Sequence, residues 1–358
     1  MQTKIKVISF KEQNIYVGID VHLKSWIVTI LLDFNEHKTF SMNPDAADLK
    51  KYLENNFPAG NYYSAYEAGF TGYSTHRDLE RQGIHNIVVN PADIPTTDKE
   101  RKQKEDKRDS RKIAKSLRSG DLQGIYIPQV STMEFRSLVR YRKTLVKEIC
   151  RNKNRIKSFL HYNGLSIPAS LNTAARYWSG NFTKWLRSIE LNTTMGKTVL
   201  NYTLDVTDFL RSRLLDINRE LRKLSISSIY SEDIGLLCSI PGIGLITAVT
   251  LISEIDNFKR FKNLDRFCSY VGLVPTTHSS GEKDSTGQIT PRSNKSIRAV
   301  IVEAAWIASR LDPALAKKFN ELRIRMKPNE ANIRIAKKLL SRIRSVMINK
   351  VNYEYSVA

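Results

Sequence analysis

The sequence predicts a mixed-sheet α/β domain, then a long helical hairpin or coiled coil, then a mostly α domain with a helix-hairpin-helix element. Three observations carry this. Runs of β-branched and aromatic residues alternate with helical spacing as far as Val89. Two long stretches, poor in Gly and free of Pro, then carry apolar residues every three or four positions. Finally, Ile240-Pro241-Gly242-Ile243-Gly244 lies between two apolar helical stretches. At ~100–200 residues per domain, 358 residues suit two or three domains.

Residues 14–32 hold two β-rich runs separated by a short polar turn, which predicts a hairpin, and Lys38 to Met42 adds a third strand. Pro44 to Asn55 has Ala47, Leu49, Tyr52 and Leu53 at helical spacing behind a capping Asn43. Tyr62 to Tyr66 reads as a strand, Thr71 to Gln82 as a helix, and Ile84 to Val89 as a strand ending at Asn90-Pro91. Asp98 to Arg118 is dense in charge, and Ile125-Tyr126-Ile127-Pro128 reads as a closing strand or a domain exit. The long amphipathic helices fall at 131–162 and 195–229, joined by an irregular stretch, Gly164–Leu191. Their Arg- and Lys-rich faces suit nucleic acid, dimerisation or a plain spacer. Apolar helices at 245–255, 264–271 and 296–309 surround a Ser/Thr/Gly-rich loop at 275–291, and a basic helix starts at Lys327. The expected domains are therefore 1–128, 129–230, 231–326 and the basic helix 327–358.

Charge narrows the function classes. The chain carries 57 Lys and Arg against 36 Asp and Glu, a net charge of +21, which points to a polyanion partner, most simply nucleic acid. No apolar run approaches the ~20 residues of a membrane span, and no signal-peptide stretch follows the start. Cys150, Cys238 and Cys268 are widely separated and form no CxxC pair. A cytoplasmic, nucleoid-associated protein with no membrane partner is the expectation.

Four acids stand out by context. Asp20 interrupts an apolar strand, and Glu67 ends another; a carboxylate in a sheet core is costly unless it is paired or binds a cation. Asp106 and Asp109 lie on one helix face. Carboxylates converging from two strands and a helix suit one or two hard divalent ions such as Mg²⁺. Two ions ~4 Å apart clamp the attacking and leaving oxygens of a phosphodiester. A plainer reading leaves Asp106 and Asp109 neutralising their basic neighbours and Glu67 capping a helix. In the glycine turn, Gly242 and Gly244 allow backbone N–H groups at a helix start to face a phosphate, or simply let two helices pack. The 275–281 loop offers hydroxyls beside His278, followed by Arg292, Lys295 and Arg298, cations suited to nucleic acid. Neither His22 nor His278 has a second ligand at zinc spacing.

Taken together, the ordered segments resemble the transposases of the IS one-ten family of insertion sequences, the DEDD class of bridge-RNA-guided recombinases. The carriers are Gly18-Ile19-Asp20-Val21-His22-Leu23-Lys24-Ser25-Trp26, Tyr66-Glu67-Ala68-Gly69 and Asp106-Lys107-Arg108-Asp109. Ile240 to Gly244, Phe267 to Pro275 and Ser280-Gly281 follow in the family's order. The resemblance implies a RuvC-like, RNase H-like first domain with Asp20, Glu67, Asp106 and Asp109 as a Mg²⁺-binding tetrad, two ions in all. It implies Ser280 as the nucleophile of a phosphoserine link to DNA, with Ser279 as its neighbour. It further implies a homo-oligomer, dimer or tetramer, acting on donor and target DNA with a structured non-coding bridge RNA. Departures occur at Glu105, where the family commonly has Thr, at Ser110, commonly Ala, and at Ser293, usually Gly. The alternative is a RuvC-like, structure-selective DNA endonuclease in which water attacks and no covalent intermediate forms. A nonenzymatic nucleic-acid-binding protein leaves the strand-end carboxylates unexplained. An actin-like kinase is set aside because Val-His-Leu-Lys follows Asp20, where a nucleotide loop wants Gly and Thr.

Overall fold

A computed structural model describes residues 10–95, 106–280 and 283–355; the side chains of Asp106, Lys107 and residues 277–286 lie outside the described part. The chain forms two compact units, 1–127 and 128–358.

In the first unit, β1 (Asn14–Val21), β2 (Trp26–Leu31) and β3 (Glu36–Met42) form an antiparallel meander. After α1 (Ala46–Asn56), β4 (Asn61–Glu67) pairs parallel with β1, and after α2 (Ser74–Arg81), β5 (His85–Val89) pairs parallel with β4. The strand order β3-β2-β1-β4-β5 is a five-stranded mixed sheet, compatible with an RNase H-like domain. Asp45 caps α1 by accepting from the amides of Ala47 and Asp48. Side chains alternate along a strand, so Ile15, Val17 and Ile19 bury one sheet face against Leu49, Leu53 and Leu79 of α1 and α2. The opposite face of β1 and β4 receives α3 (Asp106–Arg118). In place of a closing strand at 125–128, the structure has a single bridge between Val89 and Gly124.

The second unit starts with α4 (Val130–Tyr162), which packs along α6 (Thr194–Ser225). Between them, α5 (Gly180–Ser188) joins the far end, where Ile156, Leu160, Phe182, Leu186, Leu200 and Leu204 form a core of their own. The near end, through Phe135, Val139, Leu145, Ile217 and Leu221, belongs to a larger core shared with the rest of the unit. That core contains α7 (Ser231–Cys238), α8 (Leu245–Ile255), α9 (Leu264–Val271), α10 (Lys295–Leu311), α11 (Pro313–Arg323) and α12 (Pro328–Asn349). Helix α8 is buried at every residue from Ala248 to Ile255, as an all-round apolar helix must be. The basic face of α12 has an apolar back: Ile335, Leu339, Leu340 and Ile343 are fully buried. Residues 275–291, expected as a loop, instead form a two-stranded ribbon, β6 (Pro275–Ser280) and β7 (Lys283–Ile289). No strand signal marks this segment in the sequence, because the ribbon has no alternating apolar face. The α5 and α11 helices were likewise not expected.

Candidate active site

Asp20 is the seventh residue of β1, and Glu67 is the last residue of β4. The two strands are parallel interior neighbours whose register, Gly18 opposite Ala65 and Ile19 opposite Tyr66, runs toward these acids at the C-terminal ends of both strands. Strand alternation fixes the face as well as the end. Asp20 shares a face with Gly18, and Glu67 shares it with Ala65. That face is the one α3 covers. A Cβ on Gly18 would stand 2.0 Å from the Ser110 carbonyl oxygen and 2.4 Å from the Ala114 nitrogen, so only glycine lets the helix approach this closely. Ala65 packs with Ile113 in the same interface. Asp109 lies one turn before Ile113, on the same helix stripe, and Asp106 is the first residue of α3.

Around these positions, His22 Nε2 lies 3.1 Å from Asp20 Oδ2, and Lys112 Nζ lies 3.8 Å from Asp109. The helix is held to the sheet by polar contacts too. Ser110 Oγ is 2.9 Å from Thr29 Oγ1, which is 2.8 Å from Thr39 Oγ1, a chain of hydroxyls with Ser110 and Thr29 fully buried. Arg111 bonds Glu36, and Arg118 donates to the Leu32 carbonyl. Ser110 is thus matched by a threonine on the neighbouring strand β2. Among the described residues no three His, Cys, Asp or Glu side chains stand close enough to hold a metal ion. The Asp106 side chain lies outside that set.

Ser280 ends β6 opposite Lys283, at the tip of the ribbon, and its side chain lies outside the described residues. Arg292 and Lys295 are exposed near the ribbon's exit. Arg298 turns one guanidinium nitrogen inward, donating to the carbonyls of Gly272 at 3.3 Å and Thr290 at 2.7 Å. Gly242 has φ +87°, and a Cβ there would meet the Ala304 carbonyl at 2.5 Å, so this glycine is needed for helix packing. Gly244, in contrast, is exposed at the start of α8, with open space where a side chain would be. Sequence reasoning missed Glu254, whose carboxylate is 2% exposed and receives both arms of the Arg140 guanidinium at 2.7 and 2.8 Å. A lone acid inside the apolar run Leu245–Ile255 was the available signal.

Residues 17–162 match the family model DEDD_Tnp_IS110, described as a transposase, and residues 235–320 match the Transposase IS116/IS110/IS902 family. The chain is similar to the transposase for insertion sequence element IS1533 of Leptospira borgpetersenii, 26% identical over 307 residues, which is 82% of this chain and 85% of the relative. A protein of Sinorhizobium fredii named as transposase y4rJ is 28% identical over 363 aligned positions, 91% of this chain and 88% of its own. The transposase for element IS1111A of Coxiella burnetii is 25% identical, covering 64% of this chain and 61% of that protein. No helix among the described residues is long and apolar enough to cross a membrane.

Proposed function

This chain belongs to the IS110 family of transposases, and we propose that it cuts, exchanges and rejoins donor and target DNA at sites chosen by a structured bridge RNA. The observation that carries the reading is the shared face: Asp20 and Glu67 lie on the sheet surface that α3, bearing Asp106 and Asp109, covers. All four are carboxylate oxygen donors, the donor set that suits a hard divalent ion such as Mg²⁺. These four residues would hold the metal, which when bound supplies positive charge to phosphate oxygens that gain charge during the reaction.

The chain's own residues then do the following. Ser280 Oγ attacks phosphorus; the Oγ–P bond forms while one P–O bond to deoxyribose breaks. The serine proton passes to a neighbouring base, and the released deoxyribose oxygen takes up a proton. The bond count is conserved, so a second DNA hydroxyl can reverse the step and rejoin strands without an energy cofactor. Arg292 and Lys295, exposed near the ribbon's exit, would meet the DNA backbone. The open Gly244 turn offers backbone amides at the start of α8 to a phosphate.

Assembly as a homo-oligomer is supported by α6. Met195, Val199, Tyr202, Val206 and Phe209 follow the alternating four-three spacing of a coiled-coil seam, yet they are 48–74% exposed in the single chain. Arg213, Asp216 and Glu220 continue the same stripe with charge, so the seam is about two heptads long.

The test is to co-express the chain with the DNA flanking its gene, purify it and sequence the RNA that stays bound. One discrete structured RNA from the flank is expected. Asp20→Ala and Glu67→Ala should abolish strand cleavage with RNA binding intact. Random cellular RNA, lost as salt rises, together with cleavage that ignores any guide, would return the reading to an unguided nuclease.

A further inference from the structure

The ribbon carrying Ser280 has a mechanical difficulty. An isolated two-stranded ribbon is marginal in water, and Ser280 lies five residues beyond Pro275, roughly 17 Å at about 3.4 Å per residue. A tilt of about 5° at the root would carry the tip through roughly 1.5 Å over that span. Misplacing a reacting atom by about 1 Å costs on the order of 10²-fold in rate. The ribbon's aim must therefore be set at its root.

The root is tied from both sides. Gly272, just before β6, has φ +81°, and a Cβ there would fall 2.2 Å from the Ser293 Cβ, so the entering and leaving chains are in direct contact. Arg298 bridges them, donating to Gly272 on the entry side and Thr290 on the exit side. The Asn294 amide donates to the Tyr270 carbonyl at 3.0 Å. The Asn294 side chain donates to Glu254 Oε2 at 3.1 Å and to the Tyr270 hydroxyl at 3.3 Å, and that hydroxyl donates to the Glu254 carbonyl oxygen at 3.1 Å. On its other side the Glu254 carboxylate takes the Arg140 fork, and Arg136 donates to the Ser253 carbonyl at 2.7 Å. The Glu254 carboxylate thus joins the exit foot, at Asn294, to helix α4, and the backbone carbonyl of the same residue takes the Tyr270 hydroxyl of the entry foot.

We infer that Glu254 and Arg298 are positioning residues that aim the Ser280 ribbon, Glu254 by anchoring its two feet to α4 through Arg140 and Arg298 by clasping the feet together. The inference deepens the serine-nucleophile reading and rests on it. A buried carboxylate bonded to arginine on one side and asparagine on the other fixes direction as well as distance, because the Arg–carboxylate fork is planar. A merely cohesive core at this point would be served as well by apolar side chains.

The experiment uses the full chain with its co-purified RNA and a supercoiled plasmid bearing the element's flanking DNA. The readouts are the initial rate of SDS-resistant protein–DNA adduct, the affinity for the plasmid, and amide hydrogen exchange in residues 275–289. Glu254→Gln, which keeps shape but loses the Arg140 fork, should lower the adduct rate on the order of 10²-fold, with plasmid affinity unchanged and exchange raised in the ribbon alone. Arg298→Met should likewise lower the adduct rate and raise exchange in the ribbon, and Arg298→Lys, which keeps a donor, should recover part of the rate. If Arg298→Met does not fold, Glu254→Gln and Arg298→Lys carry the test. Wild-type adduct rates and wild-type ribbon exchange in folded Glu254→Gln overturn the inference. An adduct that persists in Ser280→Ala overturns the nucleophile reading instead, and the exchange measurement then still decides whether these residues hold the ribbon.

Discussion

At the residue scale, two positions show how single atoms place the chemistry. Gly18 leaves the space that the α3 backbone fills, with the Ser110 carbonyl 2.0 Å from where a Cβ would stand. Gly18→Ala must push a helix backbone away from the sheet. It should cost at least the ~1–3 kcal/mol typical of overpacking, read by denaturant unfolding, with strand cleavage lost even where the fold survives. Wild-type cleavage in Gly18→Ala would detach the α3 approach from the chemistry. Glu254 makes a pH-dependent prediction. Burial pushes its pKa up, but hydrogen bonds from Arg140 and Asn294 and the charges of Arg140 and Arg136 outweigh this and hold it below its ordinary 4.5. The folded state then binds this proton less readily than the unfolded chain does. Its stabilisation is therefore complete above about pH 4.5 and is lost as pH falls through the folded value. The gap in melting temperature between wild type and Glu254→Gln should be widest near neutrality and close below pH 4.5; a gap constant with pH would contradict it.

At the scale of elements, the strands and helices of the first unit were legible because burial there obeys simple periods. Ile15, Val17 and Ile19 alternate, and the acid at Asp20 stands out against them. The same pattern puts Asp20 and Glu67 at strand ends. It did not reveal that they share a face, since that depends on the parallel pairing of β1 with β4, a contact between distant segments. The ribbon at 275–289 was illegible for the opposite reason: between Pro275 and Ile289 its residues are polar or glycine, so no period marks it, and its strands are held by each other and by a root built from Tyr270, Asn294 and Arg298. For Arg298, sequence shows a charge but not the two carbonyls to which it donates. Helix α6 carries the element-scale prediction. Val206→Glu lies on the exposed stripe, away from the unit's cores, so the fold should persist while the oligomer dissociates. Sedimentation of wild type and variant at equal concentration checks this; an unchanged mass would remove α6 as the seam.

At the scale of the whole molecule, the net charge of +21 describes a protein that meets nucleic acid through phosphates. Affinity for nonspecific duplex DNA should fall linearly with salt on logarithmic axes, the slope reporting the phosphates neutralised. If a bridge RNA guides this chain, as proposed, the complex should keep that RNA at salt concentrations that strip nonspecific DNA. The carboxylate face and the serine ribbon belong to different units of the chain, and the central claim is that both serve one reaction. The most direct test is to stop a cleavage reaction in denaturant, digest the DNA to nucleotides, and map the modified peptide by mass spectrometry. The account predicts a deoxynucleotide linked through phosphate to Ser280, formed by wild type and absent from Asp20→Ala and Ser280→Ala. Strand cleavage by wild type with no residue modified would contradict it, leaving water as the nucleophile.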